Sequence, residues 1–361
     1  MAKLDINQKL ELINQVGEEV VTKEDLKKLL ESKANPIAYD GFEPSGQIHI
    51  AQGLLRSINV NKLTSCGIKF KFLVADYFAM LNNKFEGDIE KIKITGKYAI
   101  EVWKSCGMNL DNVEFIWASE FYKKNPQYWE TVMKLAMNST VTRVMRCSQI
   151  MGREEGKNAK SSQILYPLMQ AADIIHLEAD IAQLGLDQRK VNMLARDIFP
   201  KLKIKKPVAI HHHMLLGLQF NKNDFEGIDR KIAMKMSKSK PDTAIFMTDS
   251  EKDVISKFKK AHSIDGVIED NPVLEYARYI IFELRDQLVI ERPDKYGGDL
   301  KFGSYNELEL SFKEGDLKSL DLKMGVAKVI NELLEPTRTH FIKNKVAKEL
   351  LKKVISFQVT R

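Results

Sequence analysis

Between residues 231 and 240 the chain reads KIAMKMSKSK, so that Lys235, Lys238 and Lys240 are interleaved with Ser237 and Ser239 just before Pro241. Flexible ammonium groups with hydroxyls between them suit the neutralisation of phosphate oxygens by a loop that closes over its ligand. About 190 residues upstream lies YDGFEPSGQIHIAQG, residues 39–53. Here a strand is expected to end near Phe42, Pro44 and the flanking glycines turn the chain, and the apolar periodicity from Ile48 predicts a helix. A helix N-terminus at the C-terminal end of a strand gathers free N–H groups, and His49 in that first turn adds a further donor for an anion. Neither stretch is decisive alone. A lysine run is often a solvated turn, a histidine beside a turn is often a cap, and the GxxxxGK[ST] phosphate loop is absent.

Those stretches need a scaffold. With 361 residues, 44% hydrophobic and 29% charged, the chain has the length of two domains and room for a core. Its formal charge of +7 permits a polyanionic partner without requiring one. Cys66, Cys106 and Cys147 are odd in number and lack a CxxC pair, which argues against a disulfide framework or zinc site and for a reducing compartment. The acid-bearing opening, MAKLDINQKLELINQVGEEV, predicts no targeting signal, and no run is long enough to span a membrane; a cytoplasmic location is expected. Residues 5–32 predict two short amphipathic helices broken near Gly17. Then IAYDGF (37–42), KFKFLVAD (69–76), NVEFIWAS (112–119) and KPVAIHHHM (206–214) read as strands separated by helices such as 48–66 and 88–106. That alternation predicts a parallel α/β sheet. Beyond about His262 the pattern is helical apart from an extended stretch at 286–303. The expected organisation is N-terminal helices (1–34) packed on a Rossmann-like catalytic domain (35–262), followed by a mostly α-helical domain (263–361). Three consecutive histidines, His211 to His213, suggest a metal, but neighbours on a strand point to opposite faces and cannot readily converge on one ion.

Taken together, HIAQ (49–52) and KMSKS (235–239) resemble the paired nucleotide-binding signatures of class I aminoacyl-tRNA synthetases, the first loosely and the second in full. Within that class YDGFEPSGQIHI, LYPLMQAADIIHLEAD and AQLGLDQRKVNMLAR are similar to the tyrosyl type in its archaeal and eukaryotic cytosolic form. The resemblance runs from about residue 5 to the C-terminus, and no appended domain of the animal kind is expected. It implies formation of tyrosyl-adenylate from L-tyrosine and ATP, then transfer of the tyrosyl group to the 3′ end of tRNA(Tyr). Because the attacking carboxylate is already ionised, the chemistry needs alignment and charge neutralisation rather than a base. His49, Lys235 and Lys238 would supply this, in an ATP site with Gly41, Gln52, Gly185, Asp187, Met236, Ser237 and Ser239. Mg²⁺ would arrive on the ATP phosphates rather than in a protein cage. Tyr39 and Asp173 would bond the tyrosine phenol, Tyr166, Gln170 and Gln188 its amino group, and Asp187 the ribose. For tRNA the resemblance points to Arg146 (with Arg143), Arg189 and Lys190 at the acceptor end, and to Tyr296 and Asp321 at the first anticodon base. It also implies a homodimer, with Trp129, Met133, Leu135 and Met137 as interface residues unless they are core.

Departures from the family pattern stand out. Ala51 and Gln52 replace the glycine and the last histidine of HIGH, and Phe78 stands where this subgroup usually has histidine. Two other readings compete: a tryptophanyl-type synthetase, which leaves the Tyr39 and Asp173 pair unexplained, and a synthetase-like RNA-binding protein without activation chemistry, which leaves the intact KMSKS unexplained.

Overall fold

The computed structural model describes residues 4–147, 160–219, 227–238 and 240–357; Ser239 therefore lies outside the described residues. Six strands form the main sheet: β1 (Gly17–Val21), β2 (Ile37–Phe42), β3 (Lys69–Val74), β4 (Val113–Trp117), β5 (Ile181–Gly185) and β6 (Val208–His212). Their order is β1-β6-β5-β2-β3-β4, with β1 antiparallel to β6 and the remainder parallel. The sheet is thus the expected α/β arrangement. β5 and β6 are buried along their whole length, which explains their unbroken apolar character, since helices cover both faces of such a sheet.

The chain runs from β2 outward to β3 and β4, then returns to the other side of β2 to make β5 and β6. Such a reversal of direction opens a crevice at the C-terminal ends of the two central strands. Here β2 and β5 pair only at Ala38 with Ile181 and Tyr39 with Ala182, and beyond Tyr39 they diverge. The crevice begins where that pairing stops.

Two elements differ from the sequence expectation. Residues 17–21 form a strand rather than a break between two helices, because Glu19 lands beside Arg189 and His211 when the segment lies against β6. The predicted helix over 48–66 begins with a π-type turn, Ala51–Leu55, in which Leu55 N–H donates to Ile50 O (3.1 Å), and becomes regular over Arg56–Ser65.

After the sheet the chain forms helices Glu251–Lys259 and Pro272–Tyr276, a hairpin of β7 (Leu288–Ile290) and β8 (Leu300–Phe302), and helices Tyr305–Glu314, Ser319–Lys343 and Lys345–Ser356. One continuous apolar core runs from the sheet into these helices, for example Trp103 and Tyr98 with Phe341 and Leu334. Among the described residues no helix is long and apolar enough to cross a membrane.

Candidate active site

The crevice is a cavity of about 560 Å³ lined by the ends of β2, β5 and β6, by the helix Ser162–His176, and by Lys235 to Lys238. The HIAQ stretch is stitched by backbone to the segment that follows the lysine-rich loop. His49 bridges Phe246, Ile50 N–H donates to Ile245 O (2.9 Å), and Met247 N–H donates to Ile48 O (2.8 Å). The segment that follows the lysine-rich loop therefore holds the HIAQ segment directly. Gly53 permits this approach, since a Cβ there would lie 2.4 Å from Met247 Sδ. His49 stands just before the helix rather than within it, its carbonyl accepting from Gln52 and Gly53 N–H.

Alternation along β2 divides the cavity. On one face Tyr39, fully buried, lies near Asp173. Tyr122 Oη and Tyr128 Oη donate to Asp173 Oδ1 (2.8 and 2.9 Å), and their rings stack 3.9 Å apart. Asp173 Oδ2 and Tyr39 Oη, both buried, have no hydrogen-bond partner. The Gln170 amide lies near Tyr39, but its Nε2 donates to Gln188 Oε1 (3.2 Å). Burial pushes the Asp173 carboxyl up to about 7 against the two tyrosine donors. An unpaired buried acceptor beside an unpaired buried hydroxyl is costly, and a ligand that both donates and accepts satisfies the two at once. Tyr166 Oη donates to Glu43 Oε2 (3.1 Å), and Phe78 packs edge-on against the Tyr166 ring (4.6 Å) as part of the cavity wall.

The other face is charged. Lys235 is paired with Asp187, and Arg56 with buried Asp40. Lys238 Nζ sits 3.4 Å from Ser45 Oγ and 5.1 Å above the Phe42 ring. Although Lys238 retains some surface, its ammonium end is enclosed, and burial pushes its pKa down to about 7, with Glu43 opposing and Lys84 and Arg56 adding to the shift. Burial would raise the Asp187 carboxyl, yet Lys235 beside it holds it below its usual range. His49 is kept neutral by burial and by Lys238, Lys235 and Arg56, and its Nδ1 is unpartnered. Gln52 Oε1 is likewise buried and unpartnered. Gly185 has no room for a side chain, since a Cβ would stand 2.6 Å from both Asp187 Oδ1 and Met214 Sδ; at Gly41 a Cβ would project into open cavity. This is a pocket that gathers cations on one side and hydrogen-bonding groups buried without water-like freedom on the other. It can bind a polyphosphate at the first and a phenol at the second.

The cavity lining therefore includes every site residue named for tyrosine and ATP except Ser239, which is not described. The sequence missed Asp40, Arg56, Glu43, Tyr122 and Tyr128. Arg56 opens the regular helix Arg56–Ser65 that follows the HIAQ stretch, so it lies close to His49 in sequence, whereas Tyr122 and Tyr128 meet Asp173 from about 50 residues away and carry no local signal. The three histidines diverge as expected. His211 contacts Asn192 and Glu19, His212 contacts Gln183, and His213 lies between Glu18 and Glu275.

Farther out, Arg189 Nε is bonded to Glu19 (2.8 Å) and Arg143 to Asp197 (2.7 Å), while Arg146 is exposed and Lys190 partly so. Tyr296 is 63% exposed in a tight turn, with Lys295 over its ring. Arg292 ties that turn to the loop before the helix bearing Asp321, donating to Gly298 O and Asp316 O. Trp129, Met133 and Met137 are exposed on the helix Tyr128–Met137; Leu135 is fully buried and belongs to the core instead, because it faces the helix Ser162–His176 side of that element.

The family tRNA synthetases class I (W and Y) matches residues 31–335, and the chain belongs to it. A relative from Arabidopsis thaliana named tyrosine–tRNA ligase 1, cytoplasmic, is 46% identical over 99% of this chain and 90% of its own length. The structure of a tyrosyl-tRNA synthetase from Pyrococcus horikoshii complexed with L-tyrosine superposes with a TM-score of 0.90 at 37% identity, covering 97% of this chain and all of the other. A Leishmania major tyrosyl-tRNA synthetase in complex with tyrosinol gives 0.88 at 41% identity; this chain, covered to 98%, spans 61% of that longer one. Within the class I family the chain falls among the tyrosine–tRNA ligases.

Proposed function

We propose that this cavity performs tyrosine activation, with the phenol held between Tyr39 Oη and Asp173 Oδ2. The observation that carries the assignment is that pair of buried, unpartnered polar atoms. A phenol donates to the carboxylate and accepts from Tyr39; an indole N–H has no acceptor to offer, and phenylalanine has neither. Tyr166, Gln170 and Gln188 receive the amino group, and Glu43, bonded to Tyr166, adds negative charge behind them. ATP takes the charged face, its ribose on Asp187 beside Gly185 and its phosphates between His49 and the lysines of the loop. His49, being neutral, works as a hydrogen-bond donor rather than as a charge. Gln52 donates its amide in place of the histidine ordinarily found there, and Arg56 supplies the positive charge that Gln52 lacks. Before ATP binds, Asp40 is paired with Arg56, Asp187 with Lys235 and Glu43 with Tyr166 and Asn82, and Asp173 Oδ2 is given to the phenol, so Mg²⁺ fits as an ion carried by the ATP phosphates. The tyrosine carboxylate attacks the α-phosphate and pyrophosphate leaves; the 3′-terminal hydroxyl of tRNA(Tyr) then attacks the carbonyl of the adenylate and takes the tyrosyl group as AMP leaves.

Arg146, Arg189 and Lys190 flank the acceptor end, and Tyr296 with Asp321 forms the anticodon contact. The exposed apolar row Trp129, Met133 and Met137 is the homodimer face, and the protein works in the cytoplasm. Exchange of labelled pyrophosphate into ATP tests the assignment. It is expected with tyrosine and not with phenylalanine or tryptophan; exchange with tryptophan would overturn it, and binding of tRNA without exchange would favour a non-catalytic role.

Lys238 gives a second expected result. At pH 8 its free ammonium, with a pKa of about 7, is mostly deprotonated, and the arriving phosphates restore the charge. ATP binding at pH 8 should therefore take up close to one proton, falling toward zero at pH 6, where Lys238 is already charged. Titration calorimetry in buffers of different ionisation enthalpy measures this, and Lys238→Met should abolish it.

A further inference from the structure

Lys235 lies on a short ladder whose outer side is completed by side chains from the C-terminal helical region. Leu216 faces Lys235 in an antiparallel bridge, with Gly217 N–H donating to Met234 O (3.0 Å) and Met236 N–H to Leu215 O (2.8 Å). In a pair bonded through its neighbours, the bridging residue's own N–H and C=O point the opposite way. On that side Leu216 N–H donates to Glu275 Oε2 (3.0 Å), and Leu216 O accepts from Tyr276 Oη (2.8 Å). Two consecutive side chains thus occupy the place of a third strand. Both end the helix Pro272–Tyr276, which Asn271 caps by accepting from Val273 and Leu274 N–H. Tyr276 is fully buried. Glu275 is held in turn by His213, whose Nε2 lies 3.2 Å from Glu275 Oε2 and whose Nδ1 lies 3.1 Å from Glu18; the His213 ring stacks on Tyr279 at 4.2 Å.

We propose that Glu275 and Tyr276 are positioning residues for tyrosine activation, setting from the C-terminal helical region the placement of Lys235 over the cavity. The inference rests on the reading of Lys235 as a phosphate ligand. The physical argument is that both polar groups of Leu216 would otherwise be unpaired inside the protein, so the strand moves if either partner is lost. Alignment at a reacting phosphate tolerates little displacement. The ladder bonds Lys235 to Leu216 by backbone, so the displacement passes to Lys235 without any contact between Glu275 and substrate.

The test uses the full chain with Tyr276→Phe, Glu275→Ala and Glu275→Gln, each alone and combined with Lys235→Ala. Tyr276→Phe removes one hydroxyl and is the variant least able to disturb folding; tyrosine binding measured by fluorescence checks that the pocket is intact. We expect tyrosine-dependent pyrophosphate exchange to fall about tenfold in kcat for Tyr276→Phe and Glu275→Ala, with the KM for tyrosine unchanged. Glu275→Gln, which keeps an acceptor for Leu216 N–H, should restore most of the rate. With Lys235→Ala in the background the same changes should add less than about twofold, because they act through that lysine. An equal loss in both backgrounds, or no loss at all in chains where Lys235→Ala itself is impaired, overturns the positioning role alone. Wild-type exchange by Lys235→Ala would remove the reading of Lys235 and the inference with it.

Discussion

Asp173→Ala should lower kcat/KM for tyrosine in pyrophosphate exchange by about 100-fold or more while scarcely changing the poor reaction with phenylalanine. A hydrogen bond to a charged carboxylate is among the stronger ones, and here both phenol partners are buried where water cannot replace them. Asp173→Asn separates recognition from packing, because an amide oxygen still accepts from Tyr122 and Tyr128 while the charge facing the substrate is gone. It also has a signature in stability. The folded carboxyl is held up at about 7 by burial, whereas an unfolded one titrates near 4. Between those values the folded chain keeps a proton that the unfolded chain has released, so wild-type stability falls as pH rises through this window. Asparagine does not titrate. The stability difference should move in favour of Asp173→Asn between pH 5 and pH 8, by on the order of a few kcal/mol, as read by urea denaturation without ligand.

Lys235→Ala should reduce the exchange rate by about 10²–10³-fold and leave tyrosine binding intact. The size follows from what Lys235 has to do. Without ligand it neutralises Asp187; on the proposed reading it would transfer to the phosphates when ATP arrives and leave Asp187 to accept from the ribose hydroxyls. One ammonium would thus keep the proposed nucleotide site from holding an unpaired buried carboxylate before ATP binds, and stabilise the leaving pyrophosphate afterwards. Measuring kcat and KM separately checks this. The loss should fall mainly on kcat, with a smaller rise in the KM for ATP, and a rise in the KM for tyrosine would count against it.

Much of the cavity proposed to hold ATP and tyrosine is legible in the sequence because its residues cluster in short stretches whose local structure follows from composition. The strand, turn and helix around residues 37–65 place Tyr39, Gly41 and His49, and the helix Ser162–His176 puts Tyr166, Gln170 and Asp173 on one side. What was not legible depends on meetings across the chain. GEEVV carries two acids in five residues and begins at the glycine where the sequence breaks one helix from the next; it is a strand only because β6 offers it a ladder and Arg189 and His211 receive Glu19. Asp40 looks like one more buried strand position until Arg56 is folded over it. Leu135 could not be told from its exposed neighbours, because a helix with apolar residues on several faces does not show which face is covered.

β1 has a consequence for the unassembled chain. The outward N–H and C=O groups of β6 are taken up by residues 17–21, which run antiparallel to a sheet that is otherwise parallel. Stripped of them, Ala209 to His212 would present a bare row of backbone donors and acceptors, and a bare edge of that kind recruits strands from other molecules. Residues 17–21 thus act as a sheath against aggregation, and a chain lacking this strand should lose solubility before it loses any group of the cavity.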